Sequence, residues 1–292
     1  MQRSRWIAMV AAIAGVLALA PIAPAAPPRG TTPERMIAYI RDGDVWTVPS
    51  IGGEDVQITS GPAKDADPSW EPDGSSIAFT RITSQGPQIW IVDAGGGAAQ
   101  RLMNRAADPS WSPDGSSIAF VRRAKGNTDI WSAEPDGSHV RRLTSSPAPD
   151  LEPAWGPKKI AFVSDRGGRR SIWIMAPGGR GERRLTDGKG TDRAPTWVAG
   201  APGGTVLHEH IETDGDHDLR TVDLADGDLD KIHVDADDDR APASASLPWF
   251  AFVRATATTS TIRTSDVDAP ITSMRIIVSI SATGLSDPAV AP

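Results

Sequence analysis

The run Asp108-Pro109-Ser110-Trp111-Ser112-Pro113-Asp114-Gly115, followed by Ile118-Ala119-Phe120-Val121, Asp129-Ile130-Trp131 and Arg142-Leu143-Thr144, decides the fold. Each apolar run is short and bounded by turn residues. Pro presets φ and Gly accepts positive φ, so Pro-Asp-Gly is a tight turn joining two strands. Ile-Ala-Phe-Val is rich in β-formers and almost continuously apolar, as a strand buried on both faces is.

The unit recurs on both sides. Upstream it reads Asp67-Pro68-Ser69-Trp70, Glu71-Pro72-Asp73-Gly74, Ile77-Ala78-Phe79, Gln88-Ile89-Trp90 and Arg101-Leu102-Met103. Downstream it reads Glu152-Pro153-Ala154-Trp155, Ile160-Ala161-Phe162-Val163, Ser171-Ile172-Trp173 and Arg184-Leu185-Thr186. Two tryptophan ladders follow: Trp70, Trp111, Trp155 and Trp197, and Trp46, Trp90, Trp131 and Trp173. Their steps of 41 to 44 residues define a tandem repeat. Recurrence at one repeat position is what packing between repeats requires, so the ladders are read as core.

Four short strands per ~40–45 residues make the blade of a β-propeller. No helical periodicity appears after residue 30. The second-strand pattern occurs at Met36-Ile37-Ala38-Tyr39, Ile77, Ile118, Ile160, Val206-Leu207 and Phe250-Ala251-Phe252-Val253. The first copy lacks a leading Asp-Pro-x-Trp strand, and Asp287-Pro288-Ala289-Val290 near the chain end matches it. The expected architecture is therefore all-β: six four-stranded blades over residues 35–292, closed into a ring by the C-terminal strand. Closure removes sheet edges that would template aggregation. The last two copies have drifted. Arg193-Ala194-Pro195-Thr196-Trp197 keeps the pattern, Arg240-Ala241-Pro242-Ala243-Ser244 has lost its Trp, and neither carries Ser-Pro-Asp-Gly.

These residues resemble the TolB-like β-propeller repeat, with its Asp-Pro-x-Trp-Ser-Pro-Asp-Gly, Ile-Ala-Phe, Ile-aromatic and Arg-Leu-Thr segments. The resemblance implies a propeller, but fold does not imply function. The TolB protein has an α/β domain ahead of its propeller, and the short stretch before Met36 leaves no room for one, so a role in Tol-type translocation is not expected. Peptidase relatives add an α/β-hydrolase domain with a Gly-x-Ser-x-Gly elbow, a motif this sequence lacks.

Residues 1–25 read as a secretory signal. Arg3 and Arg5 form its basic start, Trp6 to Ala20 its apolar run and Ala23-Pro24-Ala25 its cleavage site. The run is shorter than the ~20 residues that span a bilayer. Residues 26–34 form a short linker. The expected location is extracytoplasmic, periplasmic or secreted, with no membrane span after cleavage. There is no cysteine, so no disulfide and no lipid-anchored cysteine. Removing Arg3 and Arg5 takes the formal charge from −7 to −9. An acidic chain without a basic face is a poor nucleic-acid binder.

Three constellations are candidates for chemistry. The first is a ring of carboxylates at the channel mouth: Asp67, Asp108, Glu152 and Asp287 before the repeated Pro, with Asp192 and Asp239 two residues earlier in the drifted copies. Mutual repulsion there would favour a cation or a basic peptide. Asp before Pro is also a common turn residue accepting backbone N–H bonds. The second is the acidic stretch from Glu209 to Asp239, where Asp214, Asp216 and Asp218 alternate and could offer oxygens to Ca²⁺. It lacks the EF-hand order, and Asp-Gly is first of all a hairpin turn. The third is His208-Glu209-His210. Two histidines on one strand face could begin a Zn²⁺ site, but no third ligand is evident and His208 takes the place of the repeat's Phe, so a packed histidine is expected.

Nucleophilic catalysis finds no motif. The expected function is an exported, monomeric binding or scaffold propeller engaging a protein or peptide partner of the cell envelope at the channel mouth. No cofactor is firmly implied, and Ca²⁺ is the candidate ion. The alternative is a hydrolase or lyase using the channel-mouth carboxylates.

Overall fold

The computed structural model describes residues 36–50, 52–198 and 204–224 with side chains, and the backbone of strands between 229 and 290. The signal, residues 1–25, and the linker, residues 26–34, lie outside the described residues. All described regular structure is β.

The strands follow the repeat. β1 (Met36–Arg41), β2 (Asp44–Pro49) and β3 (Val56–Gln57) precede β4 (Lys64–Trp70), β5 (Ser76–Thr83), β6 (Gly86–Asp93) and β7 (Gln100–Asn104). The repeat quoted first gives β8 (Ala107–Trp111), β9 (Ile118–Ala124), β10 (Asn127–Ala133) and β11 (Arg141–Arg142). Next come β12 (Asp150–Trp155), β13 (Ile160–Ser164), β14 (Ser171–Met175) and β15 (Arg183–Arg184), then β16 (Thr191–Val198), β17 (Thr205–Ile211), β18 (His217–Asp223) and β19 (Leu229–Lys231). β20 (Asp238–Ser244), β21 (Trp249–Ala255), β22 (Thr259–Asp266), β23 (Arg275–Ser281) and β24 (Leu285–Val290) complete the chain.

Backbone hydrogen bonds join these strands in antiparallel groups of consecutive strands, with β24 added beside β1. The expectation of six four-stranded blades is corrected. Five blades, not six, are carried as packed units by the described residues, those built on β1, β4, β8, β12 and β16. The group β20–β23 is described only as paired backbone. Nor are the blades uniform. Each has three full strands, and its outer strand shrinks to two residues at β3, β11 and β15. The reason is burial: only the inner strands are covered on both faces, so the outermost has little apolar surface to hold it.

Turn chemistry behaves as the residues dictate. Gly74 (φ 73°) and Gly115 (φ 70°) take left-handed conformations in the two Pro-Asp-Gly turns. Asp73 and Asp114 Oδ1 accept the amides of Ser75 and Ser116 at 2.9 and 3.0 Å. Bonds from Ser112 and Ser116 depress the Asp114 carboxyl to about 2.

The core lies between blades. Ala119, Val121, Ile130 and Leu143 pack with Ile160, Phe162 and Met175 of the next blade, and Ala161, Val163, Ile172 and Ile174 pack with Val206 and Val222 of the one after. Trp70 and Trp111 are buried, and Trp155 and Trp197 pack at blade interfaces. The second ladder is half-buried, each indole lying beneath a guanidinium: Arg41 over Trp46, Arg81 over Trp90, Arg122 over Trp131 and Arg166 over Trp173. Cation–π contact holds these stacks at the edge of the core.

β4, β8, β12 and β16 lie side by side, each touching the next, so they are the innermost strands. Bonds between them cross the blades: Trp155 N–H donates to Ser110 Oγ (2.9 Å) and Ala194 N–H to Glu152 Oε2 (2.6 Å). Because β5 turns back beside the start of β4, with Lys64 opposite Ile82, the blade-to-blade connections share one face with the β5–β6 type of turn. The Pro-Asp-Gly turns occupy the opposite face.

Candidate functional site

Each inner strand is interrupted by a bulge at the repeat's Asp-Pro. The register slips between Ala66 and Ser69, Ala107 and Ser110, Leu151 and Ala154, and Arg193 and Thr196. Asp67, Asp108, Glu152 and Ala194 occupy the bulge with φ near 50°. A left-handed non-glycine residue costs roughly 1–2 kcal/mol, so packing must hold all four.

The structure therefore separates the sequence's carboxylate ring into two sets. Asp67, Asp108 and Glu152 are equivalent and half-buried, partway along adjacent inner strands. Asp192 is not their equivalent. It stands two residues earlier, fully buried, at the level of Asp65 and Asp150. Asp239 and Asp287 lie on β20 and β24, whose side chains are outside the described residues. Burial pushes the Glu152 carboxyl above its usual range, opposed by the Ala194 amide, Arg170 and Arg193.

The second set forms buried pairs. Asp65 accepts Arg81 Nε and Nη2 at 2.7 and 2.8 Å and Thr59 Oγ1 at 2.7 Å. Asp150 accepts Arg166 Nη2 at 2.7 Å. In both, a carboxylate without solvent is matched by a guanidinium that also covers an aromatic ring.

Blade five replaces that chemistry. In register, His208 stands where Tyr39, Phe79, Phe120 and Phe162 stand, and His210 where Arg41, Arg81 and Arg122 stand. Arg220, opposite His208, takes the place of the ladder Trp. Asp192 lies directly across from His210 on the neighbouring strand. His210 Nδ1 is 2.6 Å from Asp192 Oδ1 and His208 Nε2 is 3.4 Å from it. Thr186 Oγ1 donates to Asp192 Oδ2 at 2.5 Å. All three side chains are at most 2% exposed. Burial alone would raise the Asp192 carboxyl, but the two imidazoles and Thr186 outweigh it and hold it well below the usual range. Room for the His210 ring comes from Gly190 (φ 148°), where a Cβ would lie 2.5 Å from Cε1 and Nε2.

Glu209, between the histidines, faces the other way and meets Arg193 (2.8 Å) and His217 Nδ1 (2.5 Å). Asp214 and Asp216 are exposed in the β17–β18 turn, while Asp218 is buried on β18 near Arg220 (3.6 Å). These three are not brought together around one point. The sequence signal for Asp192 joining the histidines was present only as strand register, which a single motif does not reveal.

Comparison with known proteins accords with the fold. Residues 103–197 match the TolB beta propeller domain family. TolB from Acinetobacter baumannii is similar in structure, with 21% identity, a TM-score of 0.74, and 89% of this chain and 67% of that one covered. A chain of a Nidogen/Laminin complex is 13% identical with a TM-score of 0.71, covering 88% of this chain and 98% of that one. A puromycin-hydrolyzing peptidase of Mycobacterium tuberculosis is 17% identical with a TM-score of 0.57, covering 81% and 42%. No curated protein matches the sequence. Among the described residues no helix is long and apolar enough to cross a membrane. The chain thus has a β-propeller fold similar to that of TolB along most of its length, with the TolB beta propeller domain matched over residues 103–197.

Proposed function

We propose that this propeller is an extracytoplasmic binding module, not an enzyme, that engages a protein or peptide segment at the face where the inner strands begin. One observation carries the reading: Asp67, Asp108 and Glu152 take one bulged, half-buried position on three adjacent inner strands. Three carboxylates so spaced attract basic side chains, and partial burial strengthens the attraction. Exposed Asp214 and Asp216 extend the acidic surface on the same face. The face is of mixed sign, since Arg105, Lys125 and Lys189 are exposed around it. Such a pattern selects a partner by charge arrangement more than by raw affinity. The Nidogen/Laminin likeness supports the fold as one found in a protein complex. The apolar run and Ala-x-Ala site of residues 1–25 support export, and a monomer is the working state.

The test is capture from envelope extract by the purified chain, beside a variant carrying Asp67→Asn, Asp108→Asn and Glu152→Gln. A protein captured by the wild type and lost by the folded variant supports the proposal. Equal capture by both forms moves the site elsewhere, and no capture by either removes the binding role.

A further inference from the structure

We propose that Asp192, His208 and His210 form a binding site for a single divalent transition-metal ion of the zinc type. The inference is independent of partner binding and uses none of the same side chains.

The donor set fits such an ion. Two imidazoles and one carboxylate are typical first-row ligands, and Zn²⁺ takes three of this kind with a fourth position for water. One ligand atom from each residue lies within 4.8 Å of the others. The backbone supplies this without a loop: alternate residues of β17 share a face, and Asp192 is paired across the ladder with His210. Thr186 holds Asp192 Oδ2 and leaves Oδ1 turned to the imidazoles, the orienting role that supporting hydrogen bonds play around metals.

The exchange of the repeat's residues separates this cluster from an ordinary packed histidine pair. The nitrogens turned to Asp192 Oδ1 are His208 Nε2 and His210 Nδ1. A fold that merely needed filling would keep the repeat's aromatic–Arg pair, as three other described copies do at Tyr39 with Arg41, Phe79 with Arg81 and Phe120 with Arg122. Instead aromatic, Arg and Trp are all exchanged in one blade, and Gly190 clears space for the new ring.

Binding requires a modest adjustment. Ligands about 2.0–2.1 Å from a tetrahedral ion stand roughly 3.3 Å apart, so the 2.6 Å contact of His210 with Asp192 must open slightly. The proton shared in that contact leaves to solvent as the ion enters.

The experiment uses the purified full chain stripped with a chelator, titrated with Zn²⁺ by calorimetry and with Co²⁺ by visible absorption. Two variants accompany it. His208→Phe restores the residue type of the other blades and is expected to fold, and Asp192→Asn keeps the shape while removing the charge. The expected result is one equivalent of Zn²⁺, Co²⁺ ligand-field bands, and affinity about a hundredfold or more weaker in both variants. A control variant, Asp136→Asn, in an exposed turn on the opposite face, should bind as the wild type does. The proposal is overturned if the wild type binds no ion at micromolar concentration, or if folded His208→Phe binds as tightly as the wild type.

Discussion

Gly156 offers the sharpest test of how blades four and five are packed. It follows Trp155 where other copies carry Ser112 or Glu71, and a Cβ built there would lie 2.3, 2.4 and 2.6 Å from Cδ2, Cε2 and Cγ of Trp197. Ordinary contact begins near 3.4 Å, so in Gly156→Ala the indole must retreat by about 1 Å. Overpacking of this kind costs about 1–3 kcal/mol. Retreat also stretches the bond from Trp197 Nε1 to Ala154 O, 2.9 Å long, worth about 1 kcal/mol. Against this, alanine stiffens the unfolded chain by about 0.5 kcal/mol. The net expectation is a loss of about 2–3 kcal/mol in urea denaturation with an unchanged slope. Gly178→Ala is the control, since its Cβ meets nothing within 4 Å, and it should be neutral or slightly stabilising. In a Trp197→Leu background the cost of Gly156→Ala should nearly vanish, because the clash partner is gone. A loss below about 0.5 kcal/mol in the wild-type background, or an equal loss in both backgrounds, would refute this account of the interface.

Other substitutions probe other layers. Trp111→Ala should cost about 3–5 kcal/mol, the range for a buried aromatic, and a loss under about 1 kcal/mol by denaturant titration would mean the ladder is not core. Arg81→Met should cost about 3–5 kcal/mol because it strands the Asp65 carboxylate without solvent; adding Asp65→Asn should recover part of that, and a cycle showing no recovery would deny the pairing. Glu152→Gln should raise the thermal midpoint at pH 7.5. The folded carboxyl is held above its unfolded value, so its ionisation opposes folding above that pKa, and the cost disappears as pH falls through it. The gain from Gln should therefore shrink towards pH 4, and a lowered midpoint at pH 7.5 would contradict the sign.

Strand placement was legible because the repeat writes it several times over: Ile-Ala-Phe-Val at 118–121 and its copies sit where strands buried on both faces must. Pro-Asp-Gly was equally legible, since Gly74 and Gly115 need the left-handed turn that only glycine takes freely. Blade number and outer-strand length were not, because β3, β11 and β15 hold two residues each and carry too little apolar pattern to count. At the site, equal spacing from the repeated Pro grouped Asp67, Asp108 and Glu152, which share one bulged backbone position. It put Asp192 two residues earlier, but could not show that Ala194 takes the equivalent bulge while Asp192 is buried. Nor could it show Asp192 beside His210, a contact that strand register creates across 18 residues.

The central claim, a partner engaged through the face where the inner strands begin, is tested most directly by mapping zero-length carbodiimide crosslinks formed in envelope extract. The account predicts crosslinked peptides containing Asp67, Asp108, Glu152, Asp214 or Asp216 joined to lysines of one partner. Crosslinks confined to the exposed Asp73, Asp114 and Asp136, in turns on the opposite face, would contradict it.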